Sequence, residues 1–200
     1  MENNQPLKVG ITGGIGSGKS LVTKIFNLLG ISIYDSDSRA KWLMNNSTKV
    51  IDAIKQRFGS SAYLDGKLNV TFISKAIFAD PNMRSELNAI VHPQVGKDFQ
   101  NWATERKNEP YIIKEAALMF EANAHLSLDK VIVVSAPIEL RIKRVLERDP
   151  QRTRDAILAI MDSQMAEKDK LEKADYIIYN DDSQLVIPQV IRLHNIFSQR

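Results

Sequence analysis

The chain has 200 residues, 44% of them hydrophobic and 26% charged, with a net charge of +3. That is an ordinary globular balance, enough for one α/β domain with insertions. The absence of cysteine excludes disulfides, thiolate metal sites and a catalytic thiol. No apolar run is long enough to span a bilayer, and the opening Met1-Glu2-Asn3-Asn4-Gln5 lacks the basic and apolar regions of a signal peptide, so a cytoplasmic protein without a membrane role is expected. The modest positive charge suits polyanionic small substrates and gives little support for nucleic-acid binding.

The first predicted strand is Leu7-Lys8-Val9-Gly10-Ile11-Thr12, a short apolar run of the kind that lies buried in a parallel sheet. Directly after it comes Thr12-Gly13-Gly14-Ile15-Gly16-Ser17-Gly18-Lys19-Ser20. Gly13, four residues, then Gly18-Lys19-Ser20 is the full spacing of a phosphate-binding loop. Its glycines permit close backbone approach. The amides from Gly14 through Gly16, Ser17, Gly18, Lys19 and Ser20 to Leu21 would then face nucleotide phosphates at a helix N-terminus. Lys19 would reach the β- and γ-phosphates of ATP, and the Ser20 hydroxyl would hold Mg²⁺. Val22, Ile25, Phe26 and Leu29 continue as one helical face, and Gly30 is placed to end that helix.

Ile31-Ser32-Ile33-Tyr34-Asp35 reads as the second strand. If it extends to Asp37, Asp35 and Asp37 point to the same side at the carboxyl edge of the sheet, where open α/β sheets bind ligands. A carboxylate there could accept the proton of an attacking hydroxyl or assist a metal. The same Asp-Ser-Asp suits a helix N-cap before Arg39-Ala40-Lys41. From Ser38 to about Lys107 the pattern is mostly helical, with turn signals at Phe58-Gly59-Ser60 and Leu64-Asp65-Gly66. Within it, His92-Pro93 reads as a helix end, because a residue before proline disfavours the helical conformation, or as a satisfied polar residue, rather than as a catalyst.

Tyr111-Ile112-Ile113-Lys114-Glu115 is the third strand. It ends in an acidic residue where phosphate-loop proteins often place a carboxylate near the metal, so Glu115 is a candidate metal ligand. Lys130 to Val134 is the fourth strand, followed by Pro137 at a helix start. Arg141, Arg144 and Arg148 then share one face at helical spacing, with Arg152 and Arg154 beyond an Asp149-Pro150 break. This segment reads either as a solvated basic face or as a lid whose arginines neutralise a transferring phosphoryl group. Tyr176-Ile177-Ile178-Tyr179 is the fifth strand, and an amphipathic helix follows from about Gln184 to Ile196. Strands alternating with helices imply a three-layer α/β/α fold around a five-stranded parallel sheet.

The order of these motifs resembles the dephospho-coenzyme A kinases from about Lys8 to Val190. The family's glycine loop is matched by Thr12 to Ser20, and its paired aspartates by Asp35-Ser36-Asp37. Its asparagine-rich helix ending in His-Pro is matched by Leu87-Asn88-Ala89-Ile90-Val91-His92-Pro93. Its Leu-Leu-Phe-Glu-like segment is matched by Glu115 to Glu121, its arginine lid by Arg144 and Arg148-Asp149, and its later glutamine by Gln164. Ala174-Asp175 and Asn180 match the ends of its last strand. Three positions depart from the pattern. Ala117 replaces a proline, Leu21 stands where a threonine is common, and Arg141 stands where a glutamine is usual.

The resemblance implies a nucleoside-monophosphate-kinase-like fold forming a single kinase domain. Its core covers about 1–37, 108–140 and 172–200, with a coenzyme A-side insertion at about 38–107 and a lid at about 141–171. It implies ATP-dependent phosphorylation of the ribose 3′-hydroxyl of dephospho-coenzyme A, the last step of coenzyme A synthesis. Asp37 is expected as general base with Asp35 beside it, Lys19, Arg144 and Arg148 as transition-state cations, and His92 on the substrate side. No obligate protein partner is expected. A kinase for another small acceptor, such as a nucleoside monophosphate, and a nucleotide-dependent switch remain as rivals. The lack of an Asn-Lys-x-Asp guanine-reading segment weighs against the switch.

Overall fold

The computed structural model describes residues 5–199, so the N-terminal reading at Met1 to Asn4 lies outside the described residues. In chain order the elements are β1 (Leu7–Thr12), α1 (Lys19–Leu28), β2 (Ile33–Asp35), α2 (Ser36–Asn46) and α3 (Thr48–Phe58). A hairpin of β3 (Tyr63–Leu64) and β4 (Lys67–Leu68) precedes α4 (Val70–Ala79) and α5 (Pro81–Thr104). Then come β5 (Tyr111–Glu115), β6 (Lys130–Ser135), α6 (Ile138–Arg148), α7 (Arg154–Asp162), α8 (Glu167–Glu172), β7 (Tyr176–Tyr179) and α9 (Val186–Ser198).

The chain divides into two compact units: one of residues up to Asp35 and from Ala103 onward, the other Ser36–Trp102. The first unit holds a five-stranded sheet in the order β2-β5-β1-β6-β7, with every pairing parallel. Both faces of the sheet are covered, so its central strands are continuous apolar runs. Alternation along each strand assigns the faces. Ile132 and Val134 join Val9, Ile11, Ile113, Val22, Phe26, Val190, Leu193 and Phe197 in one buried cluster. Val131 and Val133 join Ala116, Met119 and Phe120 in another. Burying a side chain of this size stabilises the fold by about 1.5–3 kcal/mol.

α1 follows its apolar spacing and buries Val22 and Phe26. It stops at Gly30, whose φ is 87° and whose N–H donates to the Asn27 carbonyl at 3.0 Å, a left-handed stop that glycine makes without steric cost. β7 is an edge strand. The Gln189 side chain meets its end as a strand would, donating to the Tyr179 carbonyl and accepting from the Tyr179 N–H, both at 2.9 Å.

In the second unit, α5 buries Val91, Val95 and Phe99 four residues apart, one helical stripe. The Arg39 guanidinium grips Asp98 with both arms, at 2.9 and 2.6 Å, and so ties α2 to α5. Tyr63 donates to the Met44 carbonyl at 2.6 Å, and burial pushes its hydroxyl up to about 12. Among the described residues, no helix is long and apolar enough to cross a membrane.

Three local expectations are corrected. β2 begins at Ile33 and ends at Asp35, so Asp37 is a helical residue in the first turn of α2. The preference of Ser and Asp for helix starts overrides continuation of the strand. His92-Pro93 lies inside α5 rather than at its end. Proline there leaves the Ala89 carbonyl without its helical donor, and the buried stripe on either side carries the helix through. The segment read as mostly helical also contains the β3–β4 hairpin, which turns at Asp65 and Gly66, both with positive φ.

Candidate active site

The loop between β1 and α1 is held by long-range contacts. Gly16 and Gly18 have φ of 77° and 98°, which L side chains avoid. A Cβ on Gly18 would overlap the Asn180 side chain. That side chain donates from Nδ2 to the Ser17 carbonyl at 2.8 Å. Lys19 Nζ donates to the carbonyls of Gly13 at 2.8 Å and Gly14 at 3.3 Å, so the cation lies back along the loop. Ser20 lies in the first turn of α1 and is exposed.

A cavity of about 180 Å³ is lined by Gly16, Gly18, Lys19, Ser20, Arg144, Val145 and Arg148. The structure thus brings together the loop, its lysine and serine, and two of the three α6 arginines. Arg144 is oriented from behind: Nη1 donates to the Asn180 carbonyl at 2.8 Å and Nη2 to Asp182 Oδ1 at 2.9 Å. Arg148 is mostly exposed and pairs with Asp149 at 2.9 Å, which holds that carboxyl below its usual range. Arg141 does not share the exposed face that its spacing predicts. It is buried against the loop, and burial lowers its pKa. Beside the cavity, a groove of about 550 Å³ is lined by Leu21, Ile25, Asn180 and residues 182–187. Leu21, Leu185 and Ile187 give it exposed apolar walls.

At the carboxyl edge of the sheet, Asp35 on β2 stands directly opposite Glu115 on β5. Side chains paired in this way on adjacent strands point to the same face. Two carboxylates facing one side at this edge favour a cation there. Glu115 Oε2 also accepts from Thr23 Oγ1 at 3.0 Å, which links this edge to α1. Ser20, Asp35 and Glu115 are hard oxygen donors. Among the described residues, no group of three or more His, Cys, Asp or Glu converges as a metal cage. Mg²⁺ is typically held by one or two carboxylates together with substrate phosphates, and this donor set fits it.

Asp37 and His92 belong to the second unit, Asp37 in the first turn of α2 and His92 midway along α5. Asp37 follows Asp35 by two residues. The roles of Gln164, Asn180 and Thr23 were not legible from sequence. They carry no charge, and each acts on a residue far away in the chain or on a neighbouring strand. Asn180 was visible only as the residue that closes the last strand, and Gln164 only as a match to the family's later glutamine.

The dephospho-CoA kinase family model matches residues 7–185. A dephospho-CoA kinase of Porphyromonas gingivalis is 37% identical over 187 residues, covering 94% of this chain and 92% of its own. One from Bacteroides fragilis is 33% identical over the same length, covering 94% and 91%. Among solved structures, the dephospho-CoA kinase from Campylobacter jejuni is 27% identical, with a TM-score of 0.70 over 96% of this chain and 97% of its own. A shikimate kinase from Acinetobacter baumannii, 16% identical, shares the fold at a TM-score of 0.54 over 98% and 95%. The five-stranded parallel sheet flanked by helices is therefore a phosphate-loop kinase fold.

Proposed function

Because the chain belongs to the dephospho-CoA kinase family, and so uses ATP to phosphorylate dephospho-CoA in coenzyme A synthesis, we propose the following division of that chemistry among its residues. The acceptor atom is the ribose 3′-hydroxyl. Its oxygen attacks the γ-phosphorus, the bond to the β–γ bridging oxygen breaks, and ADP leaves. The proton passes to the Asp37 carboxylate.

The loop amides from Gly14 to Leu21 hold the phosphates, and the groove at Leu21, Leu185 and Ile187 takes the nucleoside. Lys19, Arg144 and Arg148 meet the charge that spreads over the phosphoryl oxygens. In this chemistry the protein contributes mainly position and electrostatics. Ser20 and Glu115, with Asp35, would hold Mg²⁺, which when bound neutralises phosphate charge. Asp35 also orients the ribose, and the second unit, including His92, binds the coenzyme A side. Dependence on ATP supports a cytoplasmic location.

The observation that carries this assignment is the cavity that Lys19, Ser20, Arg144 and Arg148 line together with Gly16 and Gly18 of the loop. Purified protein with ATP and a panel of acceptors tests it. ADP release is expected with dephospho-CoA, with the product phosphorylated at the 3′ position. ADP release with a nucleoside monophosphate and none with dephospho-CoA would overturn the acceptor. Phosphorylation at another hydroxyl would overturn the position.

A further inference from the structure

Arg141 is one turn from Arg144 on α6, yet it does not line the phosphate cavity. Its side chain is 5% exposed, and a buried guanidinium is costly unless it is paired and hydrogen-bonded. Nε donates to the Ile15 carbonyl at 2.9 Å. Nη1 donates to Glu167 Oε2 at 3.0 Å. Nη2 lies against Gly14, where a Cβ would overlap it, and a Cβ on Gly16 would overlap the Arg141 carbonyl. The outer turn of the phosphate loop is therefore shaped around this one residue.

The other backbone group of Ile15 is also engaged. Its N–H donates to Gln164 Oε1 at 3.1 Å. Gln164 and Glu167 lie at the entry to α8, so the two tethers join. One runs from the Ile15 carbonyl through Arg141 to Glu167, the other from Gln164 back to the Ile15 amide. The Ile15 side chain packs against the cluster of Ile142, Val145 and Ile157. The α8 entry has its own anchor on the far side, where Glu121 Oε1 accepts from the Met165 N–H at 2.7 Å and stands 3.6 Å from the buried Lys170 ammonium.

We propose that Arg141 is a positioning residue for phosphoryl transfer: its fork to Ile15 and Glu167 holds the outer turn of the phosphate loop and the Gln164 segment as one body, and so sets the loop's affinity for the phosphates of ATP. It acts through Ile15 and touches no reacting atom. The fork matters because a planar guanidinium donates from separate nitrogens in fixed directions, whereas an ammonium donates from one nitrogen on a flexible stem and a glutamine carboxamide from one nitrogen on a shorter one. Amides that must converge on a polyanion bind it more weakly once they are free to move. The inference rests on the ATP-dependent kinase reading.

The test compares wild type, Arg141→Gln, Arg141→Lys, Glu167→Ala and the Arg141→Gln/Glu167→Ala double variant. ATP affinity is measured by calorimetry without acceptor, then KM for each substrate, kcat and the melting temperature. Each single variant should weaken ATP binding and raise KM for ATP about tenfold, with the double no worse than the weaker single because both cut the same tether. KM for dephospho-CoA should stay within about twofold, and Arg141→Lys should not restore ATP affinity. A lowered melting temperature with unchanged ATP affinity would make the residue merely structural and overturn the proposal. Equal rises in both KM values, or additive effects, would overturn it too. If Arg141→Gln fails to fold, Glu167→Ala alone decides. Wild type that binds ATP yet phosphorylates no dephospho-CoA would sink the kinase reading instead, while the calorimetry still judges Arg141.

Discussion

Arg144 and Arg148 sit one turn apart on α6 and both line the cavity at the glycine loop, but they arrive there with different freedom. Arg144 is held by the Asn180 carbonyl and Asp182, whereas Arg148 is 63% exposed and must lose rotamer freedom to act. Charge stabilisation is most effective from groups that need no reorganisation. Arg144→Gln should therefore lower kcat about tenfold more than Arg148→Gln, as steady-state kinetics at saturating substrates would read. Equal losses would mean that the Asn180 contact contributes no preorganisation. In the proposed mechanism Asp37 has a separate task, as proton acceptor. Asp37→Asn should cut kcat by about 10²- to 10⁴-fold while calorimetry still finds ATP bound. Undiminished turnover would move the base to another residue. Both aspartates could be picked out in the sequence because carboxylates at the end of a strand bear chemistry. That Asp37 is helical could not, because Asp-Ser-Asp suits a strand end and a helix start equally.

At the scale of the element, β5 carries the least expected residue of the sheet. Lys114 is 3% exposed in a strand that also buries Ile112 and Ile113, and burial lowers its pKa to about 8. An unfolded lysine titrates near 10.4. Between these values the unfolded chain binds more protons than the folded one, so stability rises with pH across the window from about 8 to 10.4. Below pH 8 the ammonium is charged in both states and the net penalty of burying it is fully present. Lys114→Met should remove this slope, leaving a melting temperature less dependent on pH between 8 and 10 than in wild type. A slope identical in both proteins would show that burial of this amine is not the cause. The strand itself was legible from its apolar run. The hairpin β3–β4 was not, since two-residue strands are too short for a period, and only Asp65-Gly66 marked the turn. α5 was legible as a helix, but its passage through Pro93 was not, because proline's local preference is opposed by a stripe of contacts that no local pattern contains.

At the scale of the whole molecule, the two units divide the proposed substrates, with the phosphate loop and α6 to α8 in one and Asp37 and His92 in the other. Hydrogen exchange should record this division. A non-hydrolysable ATP analogue alone should protect residues 13–20 and 138–172, and dephospho-CoA alone should protect amides within 36–102, because a ligand suppresses the local openings of the segment it binds. Protection of 36–102 by the nucleotide alone would reassign the second unit.

The sequence by itself determined the phosphate loop, the strands around it and the order of motifs, because these rest on spacing, periodicity and turn chemistry within a few residues. Only the tertiary structure decided what grips the loop. Arg141 reaches Ile15 across 126 positions, Gln164 reaches it across 149, and Asn180 reaches Ser17 across 163. Such partners meet because parallel strands bring distant segments to one edge of the sheet, and hydrogen bonds between remote residues leave no local period to read. The same three arginines that look equivalent on a helical face thus become two that line the cavity and one that holds the loop.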